Sequence, residues 1–443
     1  MSNHFASSTR FRALLAAAIM LIGVLSWTAV ARATTVTEFS TGIPPLSGVH
    51  GIAAGPDGNL WFTEESFNRI GRITPGGAVT QFGGFFQHPG LPPAGLPPGS
   101  FPYEIAAGAD GRMWFTDRGT TAATQSIGRI TTGGSVSAFL GGISPSSGLG
   151  GIALGPDGNL WFTEQVGRIG RITPQGVVTE FSKGLTAGAA PVEIAAGPDG
   201  NLWFTEESSQ ASRIGRITPQ GVVTEFSNGI TPGSEPAAIA AGPDGNVWFT
   251  EVAGRIGRIT PHGVVTEFPD GGHSAGGIAA GPDGNVWFTL ALDNQIGMIT
   301  PRGVITKLNV PTPNSLPSDI TAGPDGNLWF TEGEGNQIGV VCIVLACRTH
   351  IKILQGPGVG LLSTTLDRAV RIGILVERIV GTKHTRIGRV PFGFHREGRL
   401  RISWDLRVKG RKLPRGRYLV TLRALDNHNR VIAHALPLTL QIR

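Results

Sequence analysis

The block Gly-Pro-Asp-Gly-Asn-Leu-Trp-Phe-Thr, first met at Gly55 to Thr63, returns with small variations through most of this 443-residue chain. Its tryptophans are Trp61, Trp114, Trp161, Trp203, Trp248, Trp287 and Trp329, between 39 and 53 residues apart. A period of this size is that of a four-stranded propeller blade, a unit that buries its apolar faces only by stacking on its neighbours. Composition agrees. The 66 Gly and 31 Pro argue against long helices, since each costs roughly 1 and 3 kcal/mol in a helix interior. The 40% of hydrophobic residues gives the chain enough apolar surface to bury, which excludes disorder.

Each unit reads as four short strands. In the first unit the strands are Gly51 to Gly55, Leu60 to Glu64 and Arg69 to Thr74. A fourth is of Val-Thr-Glu-Phe type, seen in the third unit at Val177 to Phe181. Asp57-Gly58 suits a two-residue type I′ hairpin turn. Seven Trp-Phe strands and seven strands of Ile-Gly-Arg-Ile-Thr type can be counted, the last at Ile338 to Val341, and no Val-Thr-Glu-Phe segment follows it. An orphan, Val36-Thr37-Glu38-Phe39, stands near the other end. The expectation is an all-β chain: a seven-bladed β-propeller over residues 34–348, closed by an N-terminal outer strand that removes the open sheet edges, and a small C-terminal β-sandwich.

Arg10 and Arg12 precede an apolar run from Ala13 to Ala31, and Ala31-Arg32-Ala33 fits an A-x-A cleavage site. Residues 1–33 therefore read as a signal peptide, with an uncleaved anchor as the other reading. Either way the folded part is secreted or held in the cell envelope. The formal net charge of +6 hides an opposition, −11 over residues 34–348 against +14 over residues 349–443, so the two parts meet different partners.

In the basic part, Leu400, Ile402, Trp404 and Leu406 alternate with Arg399, Arg401, Asp405 and Arg407, the pattern of a small β-sandwich. The segment Leu413 to Asp426 resembles Ig-like modules of the flagellar hook-capping type. Its arginines suit an anionic cell-wall polymer, or form only a solvated basic face. No aromatic stacking platform accompanies them, so no nucleic acid is expected. Cys342 and Cys347, the two cysteines, read as a disulfide at the exit of the last blade. No second Cys/His pair makes a zinc site.

Strand direction alternates, so first strands begin and second strands end on one face. There the residue after Trp-Phe-Thr is Glu64, Asp117, Glu164, Glu206, Glu251, Leu290 or Glu332, and first strands begin near His50, Glu104, Glu193 and Asp319. The third strands carry Arg72, Arg129, Arg171, Arg216 and Arg258. Two readings stand for this Glu/Arg set. One is inter-blade ion pairs around the ring; the other is an acidic mouth for a divalent cation or cationic ligand. Departures from the repeat single out His50, Tyr103, Glu104, Leu290, His273 and the long loop Gly83 to Pro102 with His88. Phe85, Phe86 and Phe101 in that loop offer a rim for an apolar ligand, or a rigid connection. Hydrolase, zincin and P-loop motifs are missing.

The repeat, best seen from Gly155 to Phe181, resembles the streptogramin B lyase (virginiamycin B lyase) family over Val36 to about Val341. The resemblance implies a seven-bladed propeller whose active members open a cyclic depsipeptide by elimination, with a histidine base and Mg²⁺ held by glutamates. The family's base lies in a Glu-Pro-His-Gly-Ile type segment of the late blades. The matching segments here are Glu235-Pro236-Ala237-Ala238-Ile239, Ala275 to Ile278 and Pro317 to Ile320, none with a histidine. Val49-His50-Gly51-Ile52 keeps the pattern in the first blade. His50 is thus the candidate base, Glu64 and Glu104 the candidate metal ligands, and His88, Tyr103, Glu104 and His273 the candidate ligand contacts. Three functions follow. The first is a propeller that binds a small-molecule or cyclic-peptide ligand and a divalent metal at its top face. The second is an active C–O lyase or lactonase acting on a cyclic ester. The third is a non-catalytic adhesion protein of the envelope.

Overall fold

The computed structural model describes residues 35–83, 96, 99–121, 124–207, 212–272, 275–343, 354–356, 359–366, 370–380, 383–395, 398–404, 406–425, 431–434 and 438–442. Residues 1–34, His88, His273, Cys347, Phe85 and Phe86 lie outside them. No helix among the described residues is long and apolar enough to cross a membrane.

Seven four-stranded antiparallel sheets follow one another. Blade 1 consists of Val49–Ala54, Leu60–Glu64, Arg69–Ile73 and Val79–Gly83, from innermost strand to outermost. Blades 2 to 6 repeat this order, their innermost strands being Pro102–Ala107, Leu149–Leu154, Pro191–Ala196, Pro236–Ala241 and Ala275–Ala280. Blade 7 takes Pro317–Ala322, Leu328–Glu332 and Gln337–Cys342 from late in the chain and Thr35–Phe39 as its outer strand. That strand runs antiparallel, from Thr35 opposite Cys342 to Phe39 opposite Ile338. Each innermost strand packs against those of both neighbouring blades, and blade 7 packs against blade 1. The ring is closed.

The repeat residues make one packing unit per blade. Trp61 Nε1 donates to Asp57 Oδ1 at 3.0 Å, and the indole stacks on Phe82 with centroids 5.3 Å apart. The Arg72 guanidinium lies 5.4 Å from each ring, a cation–π arrangement, and its Nη1 donates to the Thr132 carbonyl of the next blade. Blades 2 to 5 repeat the set with Arg129, Arg171, Arg216 and Arg258. The expected pairing of these arginines with the Glu64 series is therefore corrected. They reach the turn aspartates, as Arg72 reaches Asp57 at 3.4 Å, and carbonyls of the next blade. The third-strand glycine is required because the Phe62 ring lies over Gly71 where a Cβ would stand, and the same holds for the other six blades.

The hairpin turn also differs from expectation. Gly55 N donates to Asn59 O and Gly58 N to Gly55 O, so the loop has three residues. Only Gly58 takes a positive φ, +75°. Pro56 explains this, because its fixed φ near −65° suits a type I turn followed by a left-handed residue and forbids type I′.

Every innermost strand is bulged. Val49 faces Glu64 and Ile52 faces Phe62, so His50 and Gly51 together stand opposite Thr63, and each of the other blades has the same shift. The threonine absorbs the irregularity. Thr63 Oγ1 accepts from Gly51 N at 2.9 Å and donates to the Tyr103 carbonyl of the next blade at 2.7 Å. Seven threonines donate in this way around the ring, the last being Thr331 to the His50 carbonyl at 2.5 Å.

Beyond residue 353 the described strands form a three-stranded sheet (Leu354–Gly356, Val359–Leu366, Gly398–Trp404) and a five-stranded sheet built around Val370–Val380 and Gly416–Leu425. Two antiparallel sheets are what the expected β-sandwich requires. Ile374, Val376, Tyr418 and Val420 are buried, and Tyr418 Oη donates to the Pro414 carbonyl four residues upstream at 2.8 Å.

Replacing Thr331 by Val keeps the shape but leaves the Asp319 N–H and the His50 carbonyl without this partner. Loss of about 1–3 kcal/mol in urea unfolding is expected, with Thr331→Ser close to the parent protein.

Candidate functional site

The bulges aim their side chains at the ring axis. There they line a cavity of about 560 Å³, together with the loops at the face where innermost strands begin and second strands end. His50 enters from blade 1, Tyr103 and Glu104 from blade 2, Glu193 from blade 4 and Asp319 from blade 7, with blades 5 and 6 contributing only small side chains and Ile239 and Ile278. The wall is thus polar on one arc and smooth on the other.

His50 Nδ1 is 3.0 Å from Glu104 Oε1 and 4.0 Å from Glu65 Oε1. Its imidazole stacks on Tyr103, centroids 4.1 Å apart. On the other face of this group, the Arg118 guanidinium lies 3.2 Å from the Tyr103 ring centroid, held by donation from Nε to the Leu149 carbonyl. Burial alone would lower the His50 pKa, but the hydrogen bond and charge of Glu104, with Glu65 and Asp319, outweigh it and raise it above 6.5. Burial raises the Glu65 carboxyl and the Tyr103 hydroxyl. Asp319 accepts from Ile52 N across the junction of blades 7 and 1 at 2.8 Å and from its neighbour Ile320 N. Burial first, then the Glu104 charge, pushes Asp319 up to about 8. Glu193 rises for the same two reasons, with Asp319 adding to them.

Glu64 lies elsewhere. It is fully buried, and both its oxygens accept from Gln81 Nε2 at 2.8 and 3.0 Å. Glu164, Glu206, Glu251 and Glu332 are buried in the same way, so these second-strand acids form no open mouth. Among the described residues no group of three or more His, Cys, Asp and Glu is placed to hold a metal ion. Of the two candidate metal ligands, Glu104 lines the cavity whereas Glu64 accepts from Gln81 within its blade. Glu64 is turned into its blade, and the residue just past the strand is the one that reaches the site: Glu65, which opens a 3-10 turn and lines the cavity, and Arg118, which lies over Tyr103. Looking one residue past each Trp-Phe-Thr-acid block would have found both.

With the fold and site described, the class is clear: a closed seven-bladed β-propeller with one axial cavity. The Virginiamycin B lyase family profile matches residues 27–183, 96–275 and 144–344, and the chain belongs to this family. A solved streptogramin B lyase is 33% identical, with a TM-score of 0.60 over 70% of this chain and 97% of that one. The virginiamycin B lyase of Staphylococcus aureus is likewise 33% identical with a TM-score of 0.60, over 70% of this chain and all of that one. A catalytically inactive histidine-to-alanine variant of the latter, with quinupristin, is 32% identical. Among curated proteins, the virginiamycin B lyases of Bordetella parapertussis and Bordetella bronchiseptica are 49% identical over 47 residues. That aligned segment spans only 15% of their length.

The buried second-strand acids make stability pH-dependent. Burial pushes Glu64 and Glu251 up to about 7, and Glu164, Glu206 and Glu332 up to about 8. In four blades a fourth-strand glutamate adds to the push: Glu180, Glu225, Glu267 or Glu38. The fold therefore favours the protonated form. Its contribution is complete below the ordinary value of 4.5 and is lost as pH rises through about 7 to 8. The turn aspartates act oppositely: burial raises Asp57, but hydrogen bonds from Asn59 and Trp61 outweigh it and lower it below 3.8. The melting temperature is expected to peak near pH 4 to 5 and fall towards pH 8, with a shallower fall in Glu164→Gln.

Proposed function

We propose that the axial cavity binds a small or cyclic-peptide ligand and that His50, paired with Glu104, moves a proton in opening a cyclic ester by elimination. The observation that carries this reading is the position of His50. It occupies the first bulge position in blade 1, the ring equivalent of Ala237, Gly276 and Ser318, and it lines the same cavity as those three. A seven-fold pseudo-symmetric ring lets an imidazole reach one axial cavity from any blade. The inactive histidine-to-alanine variant among the relatives supports a histidine as the group that matters.

With Nδ1 facing Glu104, Nε2 is the nitrogen left for a ligand. It would take the proton from the carbon next to a carbonyl; the C–O bond at the adjoining carbon breaks, an alkene forms and a carboxylate leaves. Such a base contributes typically 10²–10⁴-fold. No step is assigned to a metal, because Glu64 is turned into its blade against Gln81 and leaves Glu104 without it in the cavity.

We assign residues 1–33 to export, which would place the propeller in the envelope or outside the cell. The basic C-terminal domain would contact an anionic wall polymer. There burial, then the charges of Arg389 and Arg386, lowers the Arg423 guanidinium, and an anion would relieve that crowding. The bond from Tyr418 to the carbonyl four residues upstream has the form of the tyrosine corner of Ig-like sandwiches.

Incubation with a streptogramin B, with and without Mg²⁺, followed by mass spectrometry tests the function. Elimination gives a linear product of unchanged mass, and His50→Ala should lower its rate by about 10²-fold or more. A mass gain of about 18 Da, that of one added water, would mean hydrolysis, as expected of a lactonase. An intact ring whose mixture still shows binding would leave a non-catalytic receptor.

A further inference from the structure

We infer that the axial cavity takes a ligand carrying a positively charged nitrogen, an ammonium or amidinium group, seated among Glu104, Glu193 and Asp319. The inference rests on the cavity being a ligand site, as proposed above, and names the chemical class of its occupant.

The second bulge position around the ring reads Gly51, Glu104, Gly151, Glu193, Ala238, Gly277 and Asp319. Each acid follows a glycine in the preceding blade, and the pairing is steric. A Cβ on Gly51 would stand 2.7 Å from Glu104 Oε2, one on Gly277 would stand 2.8 Å from the Asp319 Cα, and one on Gly151 would collide with Glu193 Oε2. Three glycines thus make room for three carboxyl groups that point at one axis from blades 2, 4 and 7.

Among the described residues no lysine or arginine lines this cavity, and His50 is the one basic lining residue, against Glu65, Glu104, Glu193, Asp319 and Glu334. Arg118 acts on Glu193 by its charge, but its guanidinium is taken up by the Tyr103 ring and the Leu149 carbonyl. Burial first, then the Glu104 charge, raises Glu193 and Asp319, and the charges of Arg118 on the one and His50 on the other offset this only in part. A ligand cation seated among the three carboxyl groups would add to that offset and draw protons off. A metal ion fits less well, since its ligands must close to about 2.0–2.6 Å and these carboxyl groups form no such set. An ammonium on a carbon frame spreads its donors over a wider collar.

Calorimetry with benzylamine and its uncharged counterpart benzyl alcohol separates charge from shape. Benzylamine should bind at least tenfold tighter than benzyl alcohol at pH 8. It should release protons on binding and weaken at pH 5. Glu193→Gln should weaken benzylamine about tenfold and leave benzyl alcohol unchanged. Asp319→Asn should act alike, its melting temperature confirming the fold. Equal affinity for the two probes, benzylamine binding untouched in both variants, or competitive displacement of benzylamine by millimolar Mg²⁺ would each overturn the inference. So would failure of benzylamine to bind; streptogramin B in the same titration then shows whether the cavity remains a ligand site.

Discussion

Seven threonine hydroxyls hold the centre of this propeller together. Each stands opposite a bulge, and each donates to a carbonyl on the adjacent blade, Thr331 closing the circle on His50. In five blades the same oxygen is also seen accepting the N–H that the bulge frees. A bulge leaves polar backbone unpaired in a buried place, at a cost of about 1–3 kcal/mol for each lone group. The hydroxyl, both donor and acceptor, answers the N–H and the neighbouring carbonyl together. Without it an inner strand would have to run straight, and its side chains would face the neighbouring blades instead of the axis.

Site and scaffold are therefore one device. The bulge that Thr63 supports is the segment that carries His50, and the bulge that Thr116 supports carries Tyr103 and Glu104. The scaffold tolerates any side chain at these positions that does not collide with the next blade, so fourteen axial positions in seven blades can vary while the Trp, Arg and Phe layers behind them stay constant. This explains how a histidine can stand in blade 1 while blades 5 to 7 offer Ala237, Gly276 and Ser318 to the same cavity.

The outer part of each blade solves another problem. An arginine over two aromatic rings, with its Nη1 near a turn aspartate and donating to a neighbouring carbonyl, is a cation whose charge is answered from several sides. Blade 6, with Met298, and blade 7, with Val340, replace that cation by an apolar side chain in the same place. Buried carboxyl groups sit on the opposite side of the second strand, and four of them meet another acid from the outer strand. Held protonated, such pairs avoid the repulsion of two buried carboxylates.

The architecture was legible from the chain itself: blade number, strand order and the closing role of Val36 to Phe39 all follow from a repeat whose fourth strand is missing at one end and supplied at the other. The axial acids and His50 were legible too, because they break the repeat. Local rules misread the turn at Asp57-Gly58, where Pro56 decided the geometry, and the partners of Arg72 and Glu64, which depend on which face each strand presents. Sequence alone determined what repeats, since periodicity and hydrophobic patterning act within each unit. Only the tertiary structure decided which side chains share the axis. That depends on a bulge in every inner strand and on ring closure, which bring His50, Glu104, Glu193 and Asp319 together from four blades across 270 residues of chain.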